Sequence, residues 1–431
     1  MKTRSPYLII VSSFVLLIII GTILLSLPIS KIGNDITFIN AFFLTTSAVT
    51  ITGLSPVGSL LTSLSLFGKI VLMILIQLGG LSIITFSIFI IMLLGGKIGI
   101  SERFLIKESL NQTSLRGLVK LVKQIVLTSF IIEGIGVIVN LFIFIPKMAL
   151  KEAILVSVFH AVSAFNNAGF DILGNNSLIN YSNNLLLNIN TSILIMLGGL
   201  GFIVIFDLLK NKSFKKLSIH SKIVLKVNLI LWIIAPLIFK LTNYNDITLM
   251  EAFFLSVTSR TAGFTSVNLN LISHASLLVV MVLMFIGASP SSTGGGIKTT
   301  TLYVLFKRIV GFASGKPLVV NKRLIEEKSV IRAFLLTILS ASLIFLGTFL
   351  LLISEGSSLH QSLFEAVSAF GNVGLTLNLT QSLGVLSKIV LSIIMLIGRV
   401  GPLTFILMFN HNWYKEDIIK VDYLEEKVII G

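Results

Sequence analysis

Five stretches of this chain constrain its fold more than any other feature. Residues 8–27, 70–94, 125–145, 277–286 and 333–353 hold a single charged residue between them, Glu133. Several reach the roughly 20 residues that a helix needs to cross a bilayer. Charged residues make up 12% of the chain, about half of the roughly 25% usual in soluble domains. Mean hydropathy is +1.00. The chain reads as a polytopic membrane protein. Lys2 and Arg4 precede the first run, as in a signal peptide, but no small-x-small site closes it. It reads as the first membrane helix.

The formal net charge is +15. Lys and Arg gather in 96–123, 210–226 and 307–332, between apolar runs. The positive-inside rule makes these segments, and both termini, cytoplasmic. Topology accounts for the charge without a nucleic-acid partner. There are no cysteines, so disulfides and thiolate metal sites are excluded.

Four short stretches resemble one another: "FFLTTSAVTITGLS" (42–55), "VFHAVSAFNNAGFD" (158–171), "FFLSVTSRTAGFTS" (253–266) and "LFEAVSAFGNVGLT" (363–376). Aligned on Gly53, Gly169, Gly263 and Gly374, each has a phenylalanine ten residues earlier: Phe43, Phe159, Phe253 and Phe364. A further glycine follows in the next apolar run: Gly79, Gly198, Gly287 and Gly398, at 26, 29, 24 and 24 residues. Such agreement marks an internal repeat.

Each unit reads as long helix, short half-buried segment, long helix. The short segment has about ten residues, too few to span. It enters and leaves on one side, so all four units share one orientation. The fold class expected is an all-α membrane protein with eight spans and four pore helices around a pseudo-fourfold axis. The first helices are placed at about 8–27, 122–145, 223–241 and 330–353, the second at about 66–95, 184–209, 275–310 and 382–410. The units divide as 1–96, 97–210, 211–311 and 312–411, with a cytoplasmic tail at 412–431.

Non-helical backbone at membrane depth survives only where protein buries it or it lines a wet cavity. A glycine at each turn permits positive φ and close backbone approach. Four such turns around one axis would present carbonyl oxygens that replace a cation's hydration shell. Four short-helix C-termini would add negative dipole ends. The candidate filter is Thr50-Ile51-Thr52-Gly53, Asn166-Asn167-Ala168-Gly169, Arg260-Thr261-Ala262-Gly263 and Gly371-Asn372-Val373-Gly374. Arg260 is expected behind the filter or towards its inner end, bracing the loop, with its charge off the ion path. The alternative for the second-helix glycines is plain helix packing.

The layout, with "TSRTAGF", "SAFNNAGF" and "IGASPSSTGGGIKTTT" (286–301), resembles the superfamily of K+ transporters that includes the bacterial Trk and Ktr systems and fungal transporters. The likeness runs from about residue 8 to 410. The chain starts directly with the first unit, without the two extra helices of Trk proteins, and so resembles the Ktr membrane subunits. That resemblance implies K+ uptake, often Na+-stimulated, through a homodimer in the bacterial plasma membrane. It also implies control by a cytoplasmic RCK-type nucleotide-binding ring. K+ channels repeat a longer TVGYG signature, whereas only one glycine per unit is shared here, which predicts fewer ion sites and looser selectivity.

The third unit's second helix is interrupted at Gly287, Ser289, Pro290, Ser291, Ser292, Thr293, Gly294, Gly295 and Gly296. The seven other spans carry no such break in sequence. Segment 287–300 is expected below the filter as a flexible gate; the alternative is a packed kink. Arg399 lies deep in the last span, at an insertion cost of at least ~3 kcal/mol. It should face the cavity, as an electrostatic barrier that anchors the loop, and the resemblance puts it in the gate region. Lys298 either adds charge to the cavity, caps the loop or snorkels. Asp171 is expected at the outer mouth and His160 behind the filter. "TGGGIKTT" (293–300) lacks P-loop spacing, and no nucleophile triad or metal cluster emerges. No enzyme activity and no organic cofactor are expected; K+ is the transported ion and Na+ a possible activator. The rival reading is a secondary carrier for another small solute, or a less selective Na+/K+ pathway.

Overall fold

Among the described residues, four helices are long and apolar enough to cross a membrane: Pro6–Ser26, Leu118–Phe144, Ile219–Thr242 and Glu327–Glu355. They come from a computed structural model that describes residues 5–409, except 34, 111–113, 175–176, 244–245 and 321. The tail at 412–431 lies outside the described residues. Each long helix opens a unit and is followed by a short helix: Phe38–Val49, Leu150–Phe165, Leu249–Thr258 and Leu359–Gly371.

Burial is distributed as a bilayer would require. In the four long helices only 28 to 39% of the most apolar window is buried, and Leu16, Ile131 and Phe345 point outward. The short helices are buried instead. Phe43, Phe159, Phe364, Phe165 and Phe370 are all at or below 1% exposure. In the third unit the buried ring is Phe254 rather than Phe253. Side chains start these helices where the sequence supplies them. Thr37 accepts from Asn40 N, and Thr248 with Glu251 forms a capping box, satisfying donors that the first turn leaves free.

The second helices depart from expectation, because all four are discontinuous. Leu66–Gly80 and Ile83–Leu93 meet at 96°, as do Leu185–Leu200 and Phe202–Asn211. The third unit has His274–Phe285, then a loop, then Thr299–Ala313; the fourth has Val385–Val400, then Pro402–Leu407. The expectation of a single interrupted span is therefore corrected. Ser82, Gly201 and Gly401 have φ of +69°, +91° and +96°, a conformation that ends an α-helix. By length and composition, the described residues hold four spans, or up to six when each bent pair is taken as one.

The units close on themselves. Each short helix packs against the second helix of the preceding unit: Leu150–Phe165 on Leu66–Gly80, Leu249–Thr258 on Leu185–Leu200, Leu359–Gly371 on His274–Phe285, and Phe38–Val49 on Val385–Val400. Within each unit, Gly79, Gly198 and Gly398 let the second helix approach the short helix closely. A Cβ on any of them would strike the carbonyl of Val49, Phe165 or Phe370, the last turn of its own unit's short helix. The packing reading of those three glycines is the one the geometry fits. Gly287 differs, because it lies against Gly295 within its own loop.

Candidate ion-conducting site

The four anchor glycines adopt φ of +90°, +70°, +81° and +93°. Two residues earlier, Ile51, Asn167, Thr261 and Asn372 are also at positive φ, from +51° to +78°. Left-handed backbone at β-branched Ile51 and Thr261 is costly, and it persists only when the surroundings impose it. Alternating the sign of φ turns successive carbonyls of an extended strand to one side. The N–H groups of Thr52, Ala168, Ala262 and Val373 turn back onto the carbonyls of Ser47, Ser163, Thr258 and Ser368, at 2.7–3.0 Å. Among the described residues, no hydrogen bond ends on the carbonyl oxygens of Thr52, Ala168, Ala262 or Val373.

Those free carbonyls form a ring. A Cβ on Gly53 would strike Ala168 O, on Gly169 Ala262 O, on Gly263 Val373 O, and on Gly374 Thr52 O. The same Cβ positions lie 3.3, 3.1, 3.2 and 2.9 Å from the Cα of the next unit's glycine. The order 1–2–3–4–1 is that of the helix packing. Side chains lace the strands from behind. Asn372 Nδ2 donates to Thr52 Oγ1 at 2.8 Å and to Met395 O at 2.9 Å. The Asn167 amide, oxygen toward Thr261, accepts from that hydroxyl at 3.0 Å and donates to Ile195 O and Phe165 O. Asn166 Nδ2 donates to Gln77 Oε1 and Glu133 Oε1.

Above the ring is a cavity of about 260 Å³ lined by all four glycines, with Ser55, Asp171, Thr265 and Thr376 two residues beyond each. Asp171 therefore stands at the mouth. Glu365 holds the fourth strand's exit by accepting from Thr376 and Thr380. His160 lies behind the strands, its Nε2 2.8 Å from Thr191 Oγ1 and its ring 5.0 Å from Phe264. Asp171→Asn should slow cation uptake roughly threefold at low ionic strength, the worth of one charge at ~6 Å in water. Rate measurements across a salt series should show the difference vanish as screening grows.

Arg260 points away from this cavity. It is 5% exposed, donates through Nη2 to Asn228 Oδ1 at 2.5 Å, and lies 5.7 Å from the Trp232 ring. Both partners belong to the third unit's first helix, so the side chain stands behind its strand.

Segment 287–298 folds beneath the ring. Its base is pinned by Ile297 N on Phe285 O and Ala288 N on Gly295 O, both at 3.3 Å. Its returning arm has no room for side chains: a Cβ on Gly294 would lie 2.5 Å from that of Ala288, and one on Gly295 2.8 Å from Asn372 Cγ. Ser289 N and Thr293 N donate to Gly199 O and Gly198 O, at 3.0 and 3.2 Å. Ser291 Oγ donates to Leu110 O, and Ser292 Oγ turns back to Ser289 O. Pro290 O crowds Gly201, and Gly296 sits at φ +67°. Lys298 Nζ caps the loop by donating to Gly294 O at 2.7 Å and Gly295 O at 3.4 Å. Arg399 ties three elements together: Nη1 donates to Thr293 O, and Nη2 to Gly79 O and Gly80 O at 2.6 and 2.9 Å. Sequence reading missed Gln77 and Asn228; the available signal was an amide side chain inside an otherwise apolar helix.

Four re-entrant strands, closed into a ring and backed by an internal loop, are the build of a pore-forming membrane protein. The chain belongs to the TrkH family of cation transport proteins, which matches residues 1–417. It is 39% identical over 438 residues to the Ktr system potassium uptake protein B of Bacillus subtilis, covering 99% of this chain and 97% of that protein. It is 37% identical over 447 residues to the potassium/sodium uptake protein NtpJ of Enterococcus hirae, covering 100% and 98%. The solved structure of the potassium transporter TrkH from Vibrio parahaemolyticus superposes with a TM-score of 0.75 at 19% identity, covering 96% of this chain and 86% of that one. That likeness speaks for the fold.

Proposed function

We infer that this chain is the K+-translocating subunit of an uptake system. The observation that carries the inference is the closed ring of unpaired carbonyls at Thr52, Ala168, Ala262 and Val373. Oxygens so arranged stand in for the water that K+ sheds on entry. The four strands 50–53, 166–169, 260–263 and 371–374 form the selectivity filter, and 287–300 with Arg399 forms the gate. The repeat division at 96, 210 and 311 follows from the same reading. Na+ as activator or co-ion draws support from the Enterococcus relative, whose name includes sodium. The word "system" in the Bacillus relative's name supports assembly with a regulatory subunit. A homodimer on an RCK-type ring, in the bacterial plasma membrane with both termini cytoplasmic, completes the proposal.

The test is rescue of a K+-uptake-deficient bacterium at low K+, with and without Na+. Growth restored by the wild-type chain and its partner supports the reading; failure by a well-expressed, membrane-inserted chain contradicts it. Deleting 289–296 should raise K+ flux through the folded protein, measured as uptake into liposomes. Unchanged or lower flux would make the segment a packed kink.

A further inference from the structure

Behind the third filter strand, a continuous polar chain runs from the filter to the loop. Arg260 Nη2 donates to Asn228 Oδ1 at 2.5 Å; Asn228 Nδ2 donates to Val224 O at 2.7 Å and to Ser289 Oγ at 3.2 Å; Thr299 Oγ1 donates to Ser289 Oγ at 3.2 Å. The orientation of the Asn228 amide is forced. A guanidinium offers only donors, so Asn228 must turn its oxygen to Arg260 and its NH₂ toward the loop. Arg260 Nε and Nη1 find no hydrogen-bond partner among the described residues, so Asn228 is the side-chain acceptor of this buried cation, beside the Trp232 ring.

The neighbouring unit sharpens the point. Asn166 occupies the position of Arg260, three residues before the anchor glycine, and it reaches Glu133 on its own unit's first helix. Glu133 lies 33 residues before Asn166, and Asn228 lies 32 before Arg260. Two units thus share a polar pair between filter and first helix. In the second unit the pair continues to Gln77. In the third unit, the one that bears the loop, it continues to Ser289 at the loop's entrance.

We propose that Asn228 is a positioning residue that couples the third filter strand to the gating loop through Ser289. The proposal rests on the filter-and-gate reading above. One rigid amide has its two ends committed to the two elements, so displacing Ser289 removes a restraint on the group that holds Arg260. The occupancy of the filter and the position of the loop then depend on each other, and that dependence is reciprocal.

The experiment measures half-saturation and maximal rate of K+ uptake for the full chain with its partner. It compares wild type, Ser289→Ala, Asn228→Leu, Asn228→Asp and the double variant Asn228→Leu/Ser289→Ala. Ser289→Ala leaves Arg260 its partner and Asn228 its bond to Val224, so it tests the coupling even where Asn228→Leu folds poorly. Coupling of ordinary strength predicts that Ser289→Ala and Asn228→Leu each shift the half-saturation concentration about 5-fold or more. The double variant should shift it no further than Asn228→Leu alone. Asn228→Asp, which keeps an acceptor for Arg260 but loses the donor to Val224 O and Ser289 Oγ, should fall between wild type and Asn228→Leu. A Ser289→Ala effect confined to the maximal rate, or additive shifts in the double variant, would overturn the coupling. Gly263→Ser run alongside separates the two levels: an unchanged half-saturation there would overturn the filter reading and the coupling with it.

Discussion

Replacing Gly263 by serine should raise the K+ concentration for half-maximal uptake by roughly 5- to 150-fold while leaving the protein in the membrane. Gly263 holds φ at +81°, and a Cβ there would strike Val373 O and lie 3.2 Å from the Cα of Gly374. Neither neighbour is a side chain that can swing away; both are backbone of the carbonyl ring. Strain of this kind is worth about 1–3 kcal/mol, and each 1.4 kcal/mol is about tenfold in affinity. Gly356 is the control. It also has positive φ, at +60°, but a Cβ there meets nothing within 4 Å. Gly356→Ser should leave the half-saturation near wild type. Equal shifts at the two positions would mean that backbone strain in general, rather than the ring, is what the assay reads.

The second large effect is expected at Arg399. Its guanidinium holds Thr293 of the loop against Gly79 and Gly80 of the first unit. Hydrogen bonds from a charged donor are worth about 1.5–3 kcal/mol each. Arg399→Gln loses most of that hold and also removes a positive charge from beneath the filter. Both losses favour the open loop, so maximal K+ flux should rise about tenfold or more, on the same scale of bond strengths. Flux into liposomes, with folding verified by size-exclusion chromatography, checks this. Arg399→Lys should recover little, because an ammonium is a point charge and lacks the fork that reaches separate carbonyls. Lower flux from folded Arg399→Gln would assign the arginine to supporting the fold.

Much of the fold was legible because the sequence says the same thing four times. The anchor glycines, the phenylalanines ten residues earlier and the apolar runs stay in step, and repetition reveals what a single copy hides. The helix breaks were not legible from apolar content. Hydropathy runs unbroken through Ser82 and Gly201, while the backbone there turns to positive φ, as it does at Gly401 between Arg399 and Pro402. The signal was present in register: Ser82, Gly201, Pro290 and Gly401 each fall three residues after the second-helix glycine. Gly287 shows the opposite limit. It keeps step in sequence with Gly79, Gly198 and Gly398, yet packs within its own loop. Partners distant in sequence stayed invisible as well. That Arg399 must find a polar partner follows from its burial at membrane depth. That the partners are carbonyls in the first and third units depends on ring closure, which no single repeat encodes. That Arg260 turns its charge off the axis was one of the placements the sequence allowed, whereas its partner Asn228 was not legible. A neutral amide inside an apolar helix draws less notice than a charge.

Four carbonyl strands meeting around one ion path would hold a dehydrated cation between them. The most direct measurement is a crystal structure grown in Rb+ or Tl+, with the ion located by its anomalous scattering. The account predicts scattering on the axis between the four strands, coordinated by the carbonyl oxygens of Thr52, Ala168, Ala262 and Val373, and weakened or lost in Gly263→Ser. An ordered ring with no ion between its strands, and the ion bound elsewhere in the protein, would contradict it.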